Sequence, residues 1–330
     1  MSLSQMQVFN KYIMPATIET LAQMVDKFNA ASNGAIRLTT EGFEGDFLQE
    51  SFFAAIHSAQ RRVNRYGANG VAASTDLTQL KHNSVKIAGG FGPIRFEPSQ
   101  MTWLHKPTAE GIEVASRNFA EAMLADQLNT AILALVAAIS NNANTVNDVS
   151  ATRGVDYIAM NEAHGKFGDH SGNLVAQIMN GTTFHKLIGA NLANATQLFQ
   201  AQNVRVVDVL GKPVVVTDAP ALYSAAVGPA PGPAAPAKLR VLSLAEGAAT
   251  VTDGSDIISN IETSNGNQRI ETTMQVDYTF GLGLKGYTWD EASGGKSPSD
   301  AALGTGSNWD KVATSDKHTA GVITIGDATK

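Results

Sequence analysis

Residues 107–140 read PTAEGIEVASRNFAEAMLADQLNTAILALVAAIS, and their spacing predicts one continuous helix. Ile112, Ala115, Phe119, Ala122 and Met123 recur on a single apolar stripe. After a polar break at Asp126-Gln127, Leu128, Ile132, Leu135, Val136 and Ile139 continue it. Pro107 suits a first turn, where a missing N–H costs nothing, Thr108 offers a cap, and Asn141-Asn142 ends the run. At the α-helical rise such a segment spans about 50 Å. Its longest uninterrupted apolar run, Ala131 to Ile139, is short against the roughly 20 residues a bilayer requires. The N-terminal MSLSQMQVFNKYIM also lacks the basic-then-apolar pattern of a signal peptide, so the expectation is a soluble chain without that export signal.

On the N-terminal side of this helix, residues 37–100 hold strand-like stretches around turn signals. These are Phe52-Phe53, Val63-Asn64-Arg65-Tyr66-Gly67 and Ser84-Val85-Lys86-Ile87, with a polar, Gly- and Ala-rich middle from Gly67 to Gln79. That pattern predicts a long extended hairpin with little core of its own, which would be unstable without a partner to lie on. Residues 1–36 read as an arm. Leu21, Met24, Val25 and Phe28 sit at helical spacing, and Asn33-Gly34 supplies a turn or C-cap.

On the C-terminal side, residues 155–217 read as helix, strand, helix, strand, turn, strand. Tyr157, Ile158, Met160 and Ala163 share a helix closed by Gly165 and Gly168, and Leu174–Met179 suits a buried strand. Thr182 is placed to cap a helix carrying Phe184, Leu187, Ile188 and Leu192. Val204–Val209 and Pro213–Thr217 are β-branched strands joined by Leu210-Gly211-Lys212. Gly228–Pro236 (GPAPGPAAP) is a stiff loop, followed by strands at Leu239–Leu244, Gln268–Phe280 and Val322–Ile325. No internal repeat is visible.

Composition narrows the class. Hydrophobic residues make up 43% of the 330, enough for a proper interior, while charged residues are only 16%, against roughly 25% in an average domain. Low charge with 30 Gly suits a surface largely covered by neighbours. No cysteine is present, which excludes disulfides and thiolate metal sites. A net charge of −6 argues against a broad basic face that grips duplex DNA, although the chain could surround DNA without gripping it.

Three local stretches carry a family resemblance. Ala163-His164-Gly165-Lys166-Phe167-Gly168-Asp169 resembles an A-x-x-k-[lf]-G-D turn. Ile178-Met179-Asn180-Gly181 with Phe184-His185-Lys186-Leu187 resembles v-M-H-S-x-v-y-x-x-L, and Leu210–Asp218 (LGKPVVVTD) resembles l-G-k-x-V-i-V-x-D. Together with the order of elements, they make the chain resemble the Hong Kong 97-like major capsid fold of tailed-phage capsids, encapsulin shells and the herpesvirus capsid floor. The likeness covers about residues 40–330. Asn180-Gly181 stands where many relatives have His-Ser, and the 228–236 insertion is a further departure; both leave open the branch of the family.

The resemblance implies an α+β fold with an N-terminal arm (1–36), an extended β-hairpin loop (37–100), a peripheral domain with the spine helix (101–145 and 262–330) and an axial α/β domain (146–261). It implies a major capsid protein, located in the virion, that self-assembles as hexamers and pentamers into an icosahedral shell. The shell would enclose double-stranded DNA without sequence-specific binding. Scaffold, portal and decoration proteins are candidate partners; no enzyme activity, cofactor, metal or membrane is implied.

A charge count bears on assembly independently. Residues 51–95 carry Arg61, Arg62, Arg65, Lys81, Lys86 and Arg95 against Asp76, six basic to one acidic and a net +5. Residues 107–140 carry Glu110, Glu113, Glu121 and Asp126 against Arg117, four acidic to one basic and a net −3. A basic hairpin and an acidic helix are complementary, and their meeting between subunits would set register and partner choice. Arg61, Arg62, Arg65, Lys81, Lys86, Glu110, Glu113 and Glu121 are therefore the candidate inter-subunit contacts; ordinary solvated charge is the competing reading.

Other motifs fail on chemistry. Gly281-x-Gly283-x-x-Gly286 matches a dinucleotide fingerprint, but Tyr287-Thr288-Trp289 reads as extended where a helix must open. Gly295-Lys296-Ser297 resembles the end of a phosphate loop whose first glycine is replaced by Asp290. His164, Asp169, His170 and His185 lack metal-ligand spacing and read as capping or surface residues. Gly168–Gly172 echoes a serine-protease loop without a base, and no Lys–Asn crosslinking motif is recognisable. Trp289 and Trp309 read as core or interface anchors. Three rival functions remain: an encapsulin-like nanocompartment, for which no cargo groove is recognisable; an oligomeric enzyme, which needs converging titratable groups; and a tail-tube protein, which should lack the long helix.

Overall fold

In the computed structural model the long helix is α1, Ala109–Asn141. The structure describes residues 32–39, 47–53, 64–67, 79–96, 109–194, 211–226 and 236–330 except 255, 266, 267 and 269, with single positions 16, 19, 25, 28–30 and 62. The apolar stripe expected for α1 is only half the picture. From Ala131 to Ile139 every residue but Leu133 is buried, and Leu133 is partly so. A helix apolar on all sides has to be enclosed on all sides. Arg117–Asn141 is long and apolar enough to cross a membrane by length and composition, and most of its apolar stretch is buried inside this fold.

The strands before and after α1 are β1 (Ile36–Thr39), β2 (Phe47–Phe53), β3 (Gln79–Phe96) and β4 (Val146–Asp148). There follow helix α2 (Tyr157–Gly165), β5 (Leu174–Met179), helix α3 (Gly181–Asn194), β6 (Val214–Val216), β7 (Tyr223–Ser224) and β8 (Lys238–Ala245). The rest comprises β9 (Ala249–Asp253), β10 (Ile258–Ser264), β11 (Glu271–Leu284) and β12 (Tyr287–Trp289). Two single-turn helices, α4 (Glu291–Gly294) and α5 (Asp300–Leu303), precede β13 (Trp309–Lys311) and β14 (Gly321–Asp327).

Strand β11 organises the first, 8-stranded sheet. Met274, Val276, Tyr278, Phe280, Leu282 and Leu284 are buried at every second position, the period of a half-buried strand. One edge of β11 takes β3, from Thr272↔Phe96 to Leu282↔Val85; the other takes β10 and then β9. Strand β1 joins β9 in parallel across more than two hundred residues of sequence. Below Val85, β3 runs on to pair with β2, from Phe47↔Val85 to Phe53↔Gln79. Residues 64–67 are not the strand expected there. Asn64 Oδ1 accepts a bond from Tyr66 N at 3.0 Å and Asn64 O one from Gly67 N at 3.3 Å, so the asparagine closes a turn.

The second sheet has the order β4-β14-β8-β5-β6, with β7 on β8. Sheet membership crosses the segment boundaries read from sequence. Strand β14 lies in the 262–330 segment yet pairs with β8 and β4, while β9 lies within 146–261 yet belongs to the first sheet. Pairing between strands distant in sequence leaves no local signal in the chain. Helix α1 holds the two sheets together: Ala131, Ile132, Leu135 and Ile139 share one core with Val85, Phe280 and Leu282 of the first sheet and Ile178, Leu242 and Ile323 of the second.

Gly281 and Gly283 lie inside β11, and Lys285-Gly286 makes a two-residue turn into antiparallel β12. A Cβ on Gly283 would come within 2.5 Å of Ser84 Oγ. The glycines therefore serve close strand packing and a tight turn, with Gly286 at φ +79°. At the N-terminal end, Asn33 (φ +50°) and Gly34 (φ +68°) turn the chain after helical residues 28–30, as expected. Leu21, Met24, Val204–Val209 and all but the last residue of the 228–236 loop lie outside the described residues.

Candidate assembly surfaces

The basic segment splits into two groups. Arg62 and Arg65 are exposed and carry no ion pair among the described residues, and Tyr66 beside them is 93% exposed. Arg61 and Asp76 lie outside the described residues; Lys81 sits on β3 opposite Ser51 of β2. Lys86 and Arg95 are already engaged within the chain, with Asp256 at 2.7 Å and Glu271 at 3.1 Å. The Lys86 ammonium holds Asp256 below the usual carboxylate range.

The acidic helix divides the same way. At about 3.6 residues per turn, Glu110, Glu113, Arg117 and Glu121 fall on one stripe of α1 and Asp126 on the opposite side. Arg117 and Glu121 are exposed and pair with each other at 3.1 Å. Asp126 faces inward and accepts a hydrogen bond from the Tyr278 hydroxyl. Burial, reinforced by this carboxylate, pushes the Tyr278 pKa well above its ordinary value. Of that stripe, the side chains of Glu110 and Glu113 lie outside the described residues.

The motif residues do structural work. Phe167 is fully buried, Gly168 takes φ +54°, and Asp169 pairs with Lys317 ahead of β14. Strands β5 and β6 run parallel, Ile178↔Val215, and Asp218 after β6 accepts a hydrogen bond from Gly181 N at 3.0 Å. Two of the quoted stretches thus meet at the start of α3. The cap of that helix is Asn180 and not Thr182: Asn180 Oδ1 accepts from Thr183 N at 2.9 Å, and Thr182 lies inside the first turn.

His164 is neither a cap nor a surface residue. It is 7% exposed, with Nε2 2.9 Å from Ser243 Oγ, and burial, with the Lys212 charge adding to it, lowers its pKa to about 4. His185 is exposed against Phe184, and His170 contacts His318, so the four residues considered as ligands do not converge. No metal-capable group of three or more His, Asp or Glu occurs among the described residues. Trp289 and Trp309 are core: their rings meet edge-on at 4.8 Å, and their N–H groups donate to Gly295 O and Leu303 O.

Two clefts lie among the described residues. One, of about 550 Å³, is lined by Asn83, Thr288, Asp290, Glu291 and Asp310. The other, of about 430 Å³, lies between α1 and β8 and is lined by Leu133, Val136, Ala137, Asn141, Ala221 and Arg240. Neither lining includes a histidine or a nucleophile bonded to a base, so neither supports acyl or phosphoryl transfer. Arg240 escaped the sequence reading, though an arginine inside the apolar strand LRVLSLA was a legible signal.

This architecture is similar to that of solved phage structures. The Cyanophage Pam1 capsid asymmetric unit is similar at 13% identity, covering 89% of this chain and 88% of that one, with a TM-score of 0.51. Structures of Microbacterium phage Oxtober96 and Mycobacterium phage Bobi are each 12% identical with TM-scores of 0.50, covering 90% and 88% of each chain respectively. No curated protein matches the sequence. The chain belongs to the Gp13-like family, major capsid protein 13-like, whose model matches residues 5–323. This is a family of structural capsid proteins and not of enzymes.

Proposed function

We propose that copies of this chain assemble as hexamers and pentamers into the icosahedral head shell of a bacteriophage, enclosing double-stranded DNA without reading its sequence. The observation that carries the reading is the ribbon of β2 and the first part of β3. Between Gln79 and Ser84, β3 has β2 as its only ladder partner among the described residues, and residues 54–78 join the two strands. A two-stranded ribbon is marginal in water by itself. Its free basic residues, Arg62 and Arg65, and the exposed Tyr66 suit a neighbour's surface, and the Glu110/Glu113/Glu121 stripe of α1 is the complementary surface we assign to it. In this reading the ribbon is the extended loop, α1 is the spine of the peripheral domain, and the second sheet forms the axial domain around which subunits gather. Scaffold, portal and decoration proteins would complete the particle, which is made in the host cytoplasm. The capsid family match favours this over an encapsulin-like compartment.

Negative-stain microscopy of the purified chain tests the proposal. Shells or hexameric capsomers are expected; small discrete oligomers alone would refute it.

A further inference from the structure

Strand β10 is an unguarded edge. It pairs with β11 over 7 residues without a bulge, from Ile258↔Asp277 to Ser264↔Glu271. No strand among the described residues takes its other side, whereas β1 covers β9 on the same edge of β11. Ile258 is 68% exposed, and Ser259, Asn260, Glu262 and Ser264 are exposed as well, so both faces of the strand stand open. The free N–H and C=O groups of an edge strand invite another strand, and Lys, Pro or a bulge usually blocks the approach. The sequence ISNIETS carries none of these guards.

We propose that β10 is a two-fold contact, pairing antiparallel with β10 of a second copy of this chain and joining two sheets into one. The sequence of the strand sets the register. Centred on Ile261, the whole strand pairs: Ile258↔Ser264, Ser259↔Thr263, Asn260↔Glu262, and Ile261 with its own copy. Each Glu262 then faces an amide, and the other Glu262 lies on the diagonal at roughly 7–8 Å. Centred on Glu262, the two carboxylates would stand directly opposite, which is destabilising. Centred on Asn260, only Ile258 to Glu262 would pair. The favoured register also carries an apolar row through the two-fold axis. Ile94 of β3 pairs with Met274 of β11, and Met274 with Ile261 of β10. Directly paired residues share a face, so the row continues through the second copy's Ile261 and Met274 to its Ile94. An isologous contact needs a surface complementary to itself, and this strand matches its own reverse in charge and in apolar placement. The inference deepens the self-assembly reading above and rests on it.

The chain has no cysteine, so introduced cysteines report the register. In assembled shells, Ile261→Cys should give disulfide-linked dimers on mild oxidation, because directly paired Cα atoms lie roughly 4.5–5.5 Å apart. Ser259→Cys alone should not link, since its two copies are offset along the strands by roughly 13 Å. Ser259→Cys and Thr263→Cys chains mixed before assembly should link to each other. Asn260→Glu sets carboxylates opposite each other; it should leave the subunit's melting temperature unchanged and raise the concentration needed for shells at least ~tenfold. Asn260→Lys should assemble at or below the wild-type concentration. Wild-type shells with no link at position 261, a link at 259 alone, or N260E shells at the wild-type concentration would overturn the pairing and leave the assembly reading standing. A link from Ile261→Cys chains to Gln49→Cys chains, with none between Ile261→Cys chains, would give the edge to a neighbour's β2 and overturn it too. Failure of the wild type to form shells would sink the assembly reading, and the pairing with it.

Discussion

His164 shows how a single buried group links pH to stability. Its ordinary pKa of 6.5 falls to about 4 in the fold because burial, aided by the Lys212 ammonium, disfavours the imidazolium. The unfolded chain therefore takes up the proton first. Stability contributed by the neutral ring is full above pH 6.5, declines as pH falls through it, and stops declining below about pH 4. Between pH 7 and pH 5 the expected loss is about 2 kcal/mol. Urea titrations of wild type and His164→Gln at both pH values should differ by that amount; parallel behaviour would refute the assignment. Asn180 offers a second check. Asn180→Ala removes the cap of α3 and should cost about 1 kcal/mol, whereas Thr182→Ala should cost a few tenths at most. The sequence displayed both threonine and asparagine, and either could cap. Only the distance from Asn180 Oδ1 to Thr183 N decides between them.

Among the elements, α1 was the most legible because its period repeats over 33 residues. The burial on every side of its stretch from Ala131 to Ile139 was not, because the elements that enclose it come from far along the chain. The turn between α5 and β13, Gly304 to Asn308, packs so closely on α1 that a Cβ on Gly306 would lie 2.7 Å from Ala137 O. Leu135→Ala, at a site with no exposure, should cost about 2–5 kcal/mol in thermal or chemical unfolding. Arg117→Ala removes only the exposed pair with Glu121 and should cost under about 1 kcal/mol. The same contrast separates folding from assembly in the extended loop. Arg61→Glu, Arg62→Glu and Arg65→Glu combined should leave the subunit's melting temperature unchanged and abolish shells; normal particles would remove the loop from the contact. Lys86 and Arg95, counted with these by charge alone, spend their charges on Asp256 and Glu271 instead. A charge total cannot tell a free cation from one already paired.

For the whole molecule, the decisive fact is that one core runs through both sheets. Residues of α1 contact β9 and β11 of the first sheet and β14 of the second, and share one core with side chains of β3 and β8. Two segments assigned from sequence to separate domains are thus bound to the same helix, and neither sheet retains a complete interior without it. The unassembled subunit should accordingly unfold in one cooperative calorimetric transition, with van't Hoff and calorimetric enthalpies in agreement. Ile132→Ala, in the middle of the shared core, should lower that single transition as a whole. Two resolved transitions, with only one of them displaced by the substitution, would mean that the sheets fold independently and that α1 belongs to just one. The distinction matters for a shell. A subunit whose sheets are rigidly joined through α1 transmits load from one lateral contact to the next, while two loosely tethered halves would have to be fixed by the neighbours themselves.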